Sequence, residues 1–151
     1  MKLQSLLEII SNCLTSEEQN NVNILDLLEK SRENIIEKLR ILNKSDITNL
    51  NTEIKKAKSI KKDILFKDLK FNLSIDYFDK NILINKKSSS FHILEIIFNG
   101  NKKYKIYDKN NNNIFVNYRI MPFYGVVFSS ETIFSSETKE NTILLTINVD
   151  N

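Results

Sequence analysis

The chain is poor in the residues from which metal and covalent sites are built. Its 151 residues include one cysteine, Cys13, and one histidine, His92. A single thiol excludes an intrachain disulfide and a cysteine-rich zinc site, and a single imidazole excludes a metal site built on several histidines. A Ser-His-Asp or Cys-His mechanism would have to run through His92, and no nucleophile-elbow pattern surrounds Ser88–Ser90 nearby. The two glycines, Gly100 and Gly125, are isolated, which excludes a phosphate-cradling glycine loop. Asp76, Asp79 and Asp108 lack the spacing of a calcium loop. No catalytic residue, cofactor or metal is expected. A carboxylate pair remains possible, but the acids of the second half fall mainly in turns.

Long apolar runs are also missing, and none approaches the roughly 18 to 20 residues that span a bilayer. The opening stretch MKLQSLLEIISNCLTSEEQ is interrupted by Gln4, Glu8 and Asn12 and shows no small-residue cleavage site. It reads as an amphipathic helix, the expectation preferred here to a signal peptide. The expected location is cytoplasmic or within a soluble assembly, with non-classical secretion left open.

There is one alanine and one proline, three arginines and no tryptophan, against 19 Lys, 22 Ile and 21 Asn. Lys, Ile and Asn have AT-rich codons, so the composition fits a low-GC genome. That discounts Asn110–Asn113 as a functional tract and abundant lysine as a nucleic-acid footprint. Net charge is +3. Residues 1–65 carry 11 basic and 10 acidic side chains, and residues 66–151 carry 11 and 9. Neither half is a basic domain.

Along residues 2–14, Leu3, Leu6, Leu7, Ile10, Cys13 and Leu14 recur at helical spacing. Cys13 lies on that stripe as a small buried hydrophobe. Thr15 with Glu18, or Ser16 with Gln19, suits a capping box. From Ile24, a second helix carries Leu25, Leu28, Ile35, Leu39 and Leu42, widened by Ile24, Leu27, Ile36 and Ile41. This face is too broad for one partner helix. After Asn43, with Ser45 or Asp46 as cap, the stripe Ile47, Leu50, Ile54, Ala57, Ile60 and Ile64 predicts a third helix. Seven lysines over Lys55–Lys70 make its outer face basic.

The period then switches to two. Leu69, Phe71, Leu73, Ile75 and Tyr77 alternate with polar residues as a half-buried strand. Further strands are expected at Ile82–Ile84, Phe91–Ile106, Ile114–Met121, Phe123–Phe128 and Thr142–Val149. In Phe91–Ile106, Asn99-Gly100 predicts a hairpin turn. The first arm is apolar on both sides and should lie deep in a sheet. The second sets Lys103 and Lys105 against Tyr104 and Ile106, with one wet face. Two copies of Phe-Ser-Ser-Glu-Thr, at Phe128 and Phe134, read as strand end and loop, an exposed acidic flap with Phe128 and Phe134 tucked into the core.

The expected fold is α+β: about three N-terminal helices (residues 1–65), then an antiparallel β-sheet or sandwich of six to seven strands (66–151), sharing one core. The function expected from these features is a non-enzymatic protein-interaction or assembly module of a phage, secretion or host-interaction apparatus. A protein partner or a homo-oligomer would cover its surplus apolar face. Leu28, Ile35, Leu39, Tyr118, Phe123 and Tyr124 are the expected interface. One alternative is a nucleic-acid-binding accessory protein using Lys55, Lys58 and Lys62, less favoured because arginine is scarce. Another is an enzyme with an unrecognised carboxylate site.

Overall fold

The three-dimensional structure is a computed structural model that describes residues 1–16, 23–110, 112–138 and 141–150. The capping-box residues Glu17–Gln19 lie outside the described residues. Three helices come first: α1 (Leu3–Leu14), α2 (Ile24–Arg40) and α3 (Lys44–Ala57). α2 starts where the Asn23 side chain accepts the Leu25 and Asp26 N–H groups at 2.9 and 3.3 Å. The Asn43 side chain does the same for Asp46 at 2.8 Å, so Asn43 caps α3 in place of Ser45 or Asp46. Lys58 ends α3 in the left-handed region at φ 71°.

α3 is shorter than its apolar stripe suggests. The strand β1 (Ser59–Phe66) begins directly after it, so Ile60 and Ile64 are strand residues. A spacing of four satisfies both the helical and the strand period, which is why the two could not be told apart there. The following strands are β2 (Leu69–Phe78), β3 (Ile82–Lys87), β4 (Phe91–Asn99) and β5 (Lys102–Tyr107). The last are β6 (Ile114–Ile120), β7 (Gly125–Phe128), β8 (Ile133–Thr138) and β9 (Thr142–Asp150). The described residues thus hold nine strands rather than six or seven. The extra ones are β1, read as helix, and β8, read as flap.

These strands form two antiparallel sheets. One has the order β1-β2-β9-β4-β7 and the other β3-β8-β5-β6. The expected hairpin across Asn99-Gly100 does not form. β4 pairs with β7 and β9, while β5 pairs with β6 and β8. Gly100, at φ +85°, is instead the corner at which the chain passes from one sheet to the other. The turn signal is local and says nothing about which strands the two arms will find.

Alternation divides the core in two. Leu94, Ile96 and Phe98 of β4, with Phe71, Leu73 and Ile75 of β2, pack under the helices. Ile93 and Ile97, with Leu144, Val126 and Phe128, meet Tyr104, Ile120 and Phe134 of the other sheet. β4 is therefore buried on both faces, as its apolar run predicts. Phe128 and Phe134 stack with ring centroids 4.9 Å apart, joining the sheets at the two repeat positions. The architecture is α+β: a helical layer on one face of a five-stranded sheet and a four-stranded sheet on the other. No described helix is long and apolar enough to cross a membrane.

Candidate functional site

The five-stranded sheet has one face under the helices. On its other face, two rows of side chains run across the strands, and both are mostly polar. Strand pairing aligns Lys61, Ser74, Thr146 and Glu95 in one row and Asp63, Asn72, Asn148 and Ile93 in the next. Each lies on the face opposite the helices, sealed between the sheets at Glu95 and open to solvent at Lys61 and Asp63. At the β1-β2-β9 end these rows border a cleft of about 310 Å³, lined by Lys61, Asp63, Asn72, Leu73, Ser74 and Asn148. Asn148 Oδ1 is buried there with no hydrogen-bond partner among the described residues. Asp63 is 3.5 Å from Lys70 in an exposed ion pair.

At the inner end of the first row, the Glu95 carboxylate is sealed between the sheets. Glu95 is 5 % exposed and Lys102 2 %. Lys102 Nζ donates to Glu95 Oε1 at 2.6 Å, and the Tyr104 hydroxyl donates to the same oxygen. Two opposite charges buried together avoid the cost of an isolated one. Burial is the main reason that the Tyr104 phenol is held well above its ordinary pKa, with the Glu95 charge and hydrogen bond adding to it. Tyr118 stacks on Tyr104 at 5.6 Å, and burial first, then Glu95, push its phenol up to about 12, partly offset by Arg32. Among the described residues, no group of three or more His, Cys, Asp or Glu side chains is placed to hold a metal ion. Glu95 has an ammonium and a phenol beside it.

Sequence reasoning missed this cluster. Glu95 is the one charged residue in the apolar run Ile93–Phe98, a signal that the inner face is not wholly apolar. Lys102, at the start of the lysine-rich second arm, is the counter-charge of Glu95.

The expected interface residues are not one surface. Leu28, Ile35 and Leu39 are sealed in the helix–sheet core. The broad face of α2 is covered by α1, β4 and β7. Tyr118 is half-buried on Tyr104. Phe123 meets Phe98 edge-on at 5.8 Å, and only Tyr124 is exposed, under the Arg40 guanidinium at 5.1 Å. The ammonium groups of Lys55 and Lys58 lie 5.9 and 4.9 Å from the Tyr77 ring, and Lys62 is half-buried on β1. His92 Nδ1 accepts the Ser130 N–H at 2.9 Å, which fixes that ring as part of the strand end. A second cleft, about 520 Å³, lies between α1 and α2 and includes Cys13. Burial raises the Cys13 pKa and Lys38 slightly lowers it, so the thiol stays protonated near neutrality.

No model of a known protein family matches the sequence, and no curated protein does. Solved structures of similar fold exist. A protein of Bacillus halodurans superposes with a TM-score of 0.52 at 11% identity, over 68% of this chain and 79% of that one. A cupin superfamily protein of Desulfitobacterium hafniense gives 0.47 at 13%, over 62% and 78%. A protein of Ralstonia eutropha assigned as a mannose-6-phosphate isomerase gives 0.44 at 13%, over 62% and 85%. At these identities the likeness is one of fold. The expectation of a non-enzymatic assembly module, built on a surplus apolar face of α2, is corrected by the packing of that face. The apolar helix face assigned to a partner is sealed inside the chain. The expectation that the chain is not an enzyme has no support in these structures.

Proposed function

We propose that this chain binds a small, neutral, hydroxylated molecule in the cleft on the inner face of the five-stranded sheet. The observation that carries the reading is Asn148 Oδ1, an acceptor buried at the cleft without a donor. An unsatisfied buried polar atom of this kind costs about 1–3 kcal/mol, which a ligand hydroxyl would recover. Asn72, Ser74 and Asn148 offer neutral donors and acceptors side by side, as a polyol or sugar needs. Lys61 and Asp63 bring one charge of each sign, so the lining has no net charge to select an anion. The volume is at the lower end of ordinary ligand sites and fits one small molecule.

The test is a ligand panel read by NMR chemical-shift perturbation and calorimetry: monosaccharides and polyols against their phosphorylated and carboxylated counterparts. A neutral member should bind, shift the Asn72 and Asn148 side-chain amides, and lose about tenfold or more in affinity in Asn148→Leu. Tighter binding of the anionic counterparts, or binding unaffected by that substitution, overturns the reading. The same NMR samples, followed over time, read turnover.

A further inference from the structure

Among the described residues, no helix layers the outer face of the four-stranded sheet, and its charge is uneven. Lys103 and Lys105 of β5 alternate with the buried Lys102 and Tyr104, so their side chains lie on the solvent side. Strand pairing sets Lys103 between Glu137 and Arg119, and Lys105 between Ser135 and Asn117. Lys103, Lys105 and Arg119 make no ion pair among the described residues, and the Arg119 guanidinium donates to the neutral Asn101 side chain at 3.3 Å. Lys109, in contrast, lies 3.5 Å from Glu131. Glu137 is the one acid among these paired positions.

Two further features share this face. A pocket of about 80 Å³ lies between the strands, lined by Leu83, Lys103, Lys105, Ser135, Ser136 and Glu137. Its size suits a single tetrahedral anion. Aromatic residues belong to the same strands: Phe115, at the register shift of β6 against β5, is 75 % exposed, and Tyr107 hydrogen-bonds Ser135 at 3.0 Å with the Lys86 ammonium 4.5 Å from its ring. Unpaired cations, an anion-sized pocket and an open aromatic ring together match a flexible polyanion that carries planar groups.

We propose that the outer face of the four-stranded sheet binds single-stranded nucleic acid, with a phosphate seated between Lys103 and Lys105 and a base stacked on Phe115. This is a different surface from the lysines at the end of α3, where Lys55 and Lys58 crowd the Tyr77 ring. It is also separate from the inner cleft, and neither assignment depends on the other.

Fluorescence anisotropy of the full chain with labelled single-stranded RNA and DNA oligonucleotides at low salt tests this. The wild-type chain should bind, and its affinity should fall steeply as salt rises. Lys103→Glu with Lys105→Glu should abolish binding. Lys103→Gln with Lys105→Gln, which removes both charges and keeps polar side chains, should reduce the slope of log K against log salt by about 0.7, for the one phosphate the two lysines hold. Phe115→Ala should weaken binding several-fold and leave the slope unchanged. Lys55→Glu with Lys62→Glu should have no effect. The proposal is overturned if no oligonucleotide binds at low salt, or if the Gln pair binds as the wild type does. It is equally overturned if heparin or anionic lipid vesicles bind as well as the oligonucleotides and Phe115→Ala changes nothing.

Discussion

Lys102 and Glu95 form an ion pair at 2.6 Å between the two sheets, where neither side chain is more than 7 % exposed. The Tyr104 hydroxyl occupies the same carboxylate oxygen. Removing one partner strands the other charge among apolar side chains such as Ile93 and Phe128. Lys102→Met should therefore destabilise the fold by about 3–5 kcal/mol. Glu95→Leu combined with Lys102→Met removes both charges, and should recover most of that loss. Urea denaturation of the two single variants and the double variant measures the coupling directly.

The same cluster sets an alkaline limit. Tyr118 has its pKa pushed up to about 12 and Tyr104 is held well above its ordinary value, both through burial first and Glu95 second. A raised phenol pKa means that the fold favours the neutral form. Its contribution is fully present below the unfolded value near 10, and is lost as pH rises from about 10 to 12. Stability followed by circular dichroism should fall across that interval. Tyr118→Phe should flatten part of the fall. The difference in phenolate absorbance between wild type and variant, which isolates Tyr118, should develop around pH 12.

Much of this architecture was legible in the residues, and what was hidden had one physical cause. Helical spacing located α1 and α2, and the period of two located β2 and the burial of β4, because these patterns depend on a single element. The partner of each strand does not. Asn99-Gly100 has the local chemistry of a hairpin, yet β4 and β5 join different sheets. Ile60 and Ile64 fit either period, and β1 became visible only where it pairs with β2. The cleft rows were hidden for the same reason. Lys61, Ser74, Thr146 and Glu95 come from four separate stretches, and only the strand order β1-β2-β9-β4 sets them side by side. Glu95 itself was exposed to inference, as a lone carboxylate in an apolar run.

Gly100 separates two reasons for requiring glycine. Its φ of +85° disfavours a side chain, and a Cβ there would lie 2.6 Å from Thr142 Oγ1 and 2.8 Å from Thr142 Cα. Strain at such a position costs of order 1–3 kcal/mol. Gly100→Ala should lower stability by about that amount or more. Asn tolerates positive φ but brings the same Cβ against the Thr142 backbone. If crowding dominates, Gly100→Asn should be as damaging as alanine in thermal unfolding; a clear rescue would assign the requirement to φ alone.

Asn148 offers the sharpest separation of stability from function. Its Oδ1 is buried without a donor, an arrangement that a fold selected for stability alone would replace. Asn148→Leu keeps the branched shape, has room to expand into the cleft and removes the unsatisfied acceptor, so it should raise stability by about 1 kcal/mol. Neighbouring Ile147 and Val149 sit in the helix–sheet core on the opposite face, and are undisturbed by the change. If the cleft holds a hydroxylated ligand, the same substitution removes an acceptor from the site and binding is lost. Asn72→Ala, on the adjoining strand, should weaken binding with no gain in stability, because no unsatisfied atom is relieved there. Denaturation and calorimetry on the two variants should therefore move in opposite directions for Asn148→Leu only. A loss of stability in Asn148→Leu would mean that the amide already has its partners within the chain, and that the cleft has no acceptor waiting for a ligand.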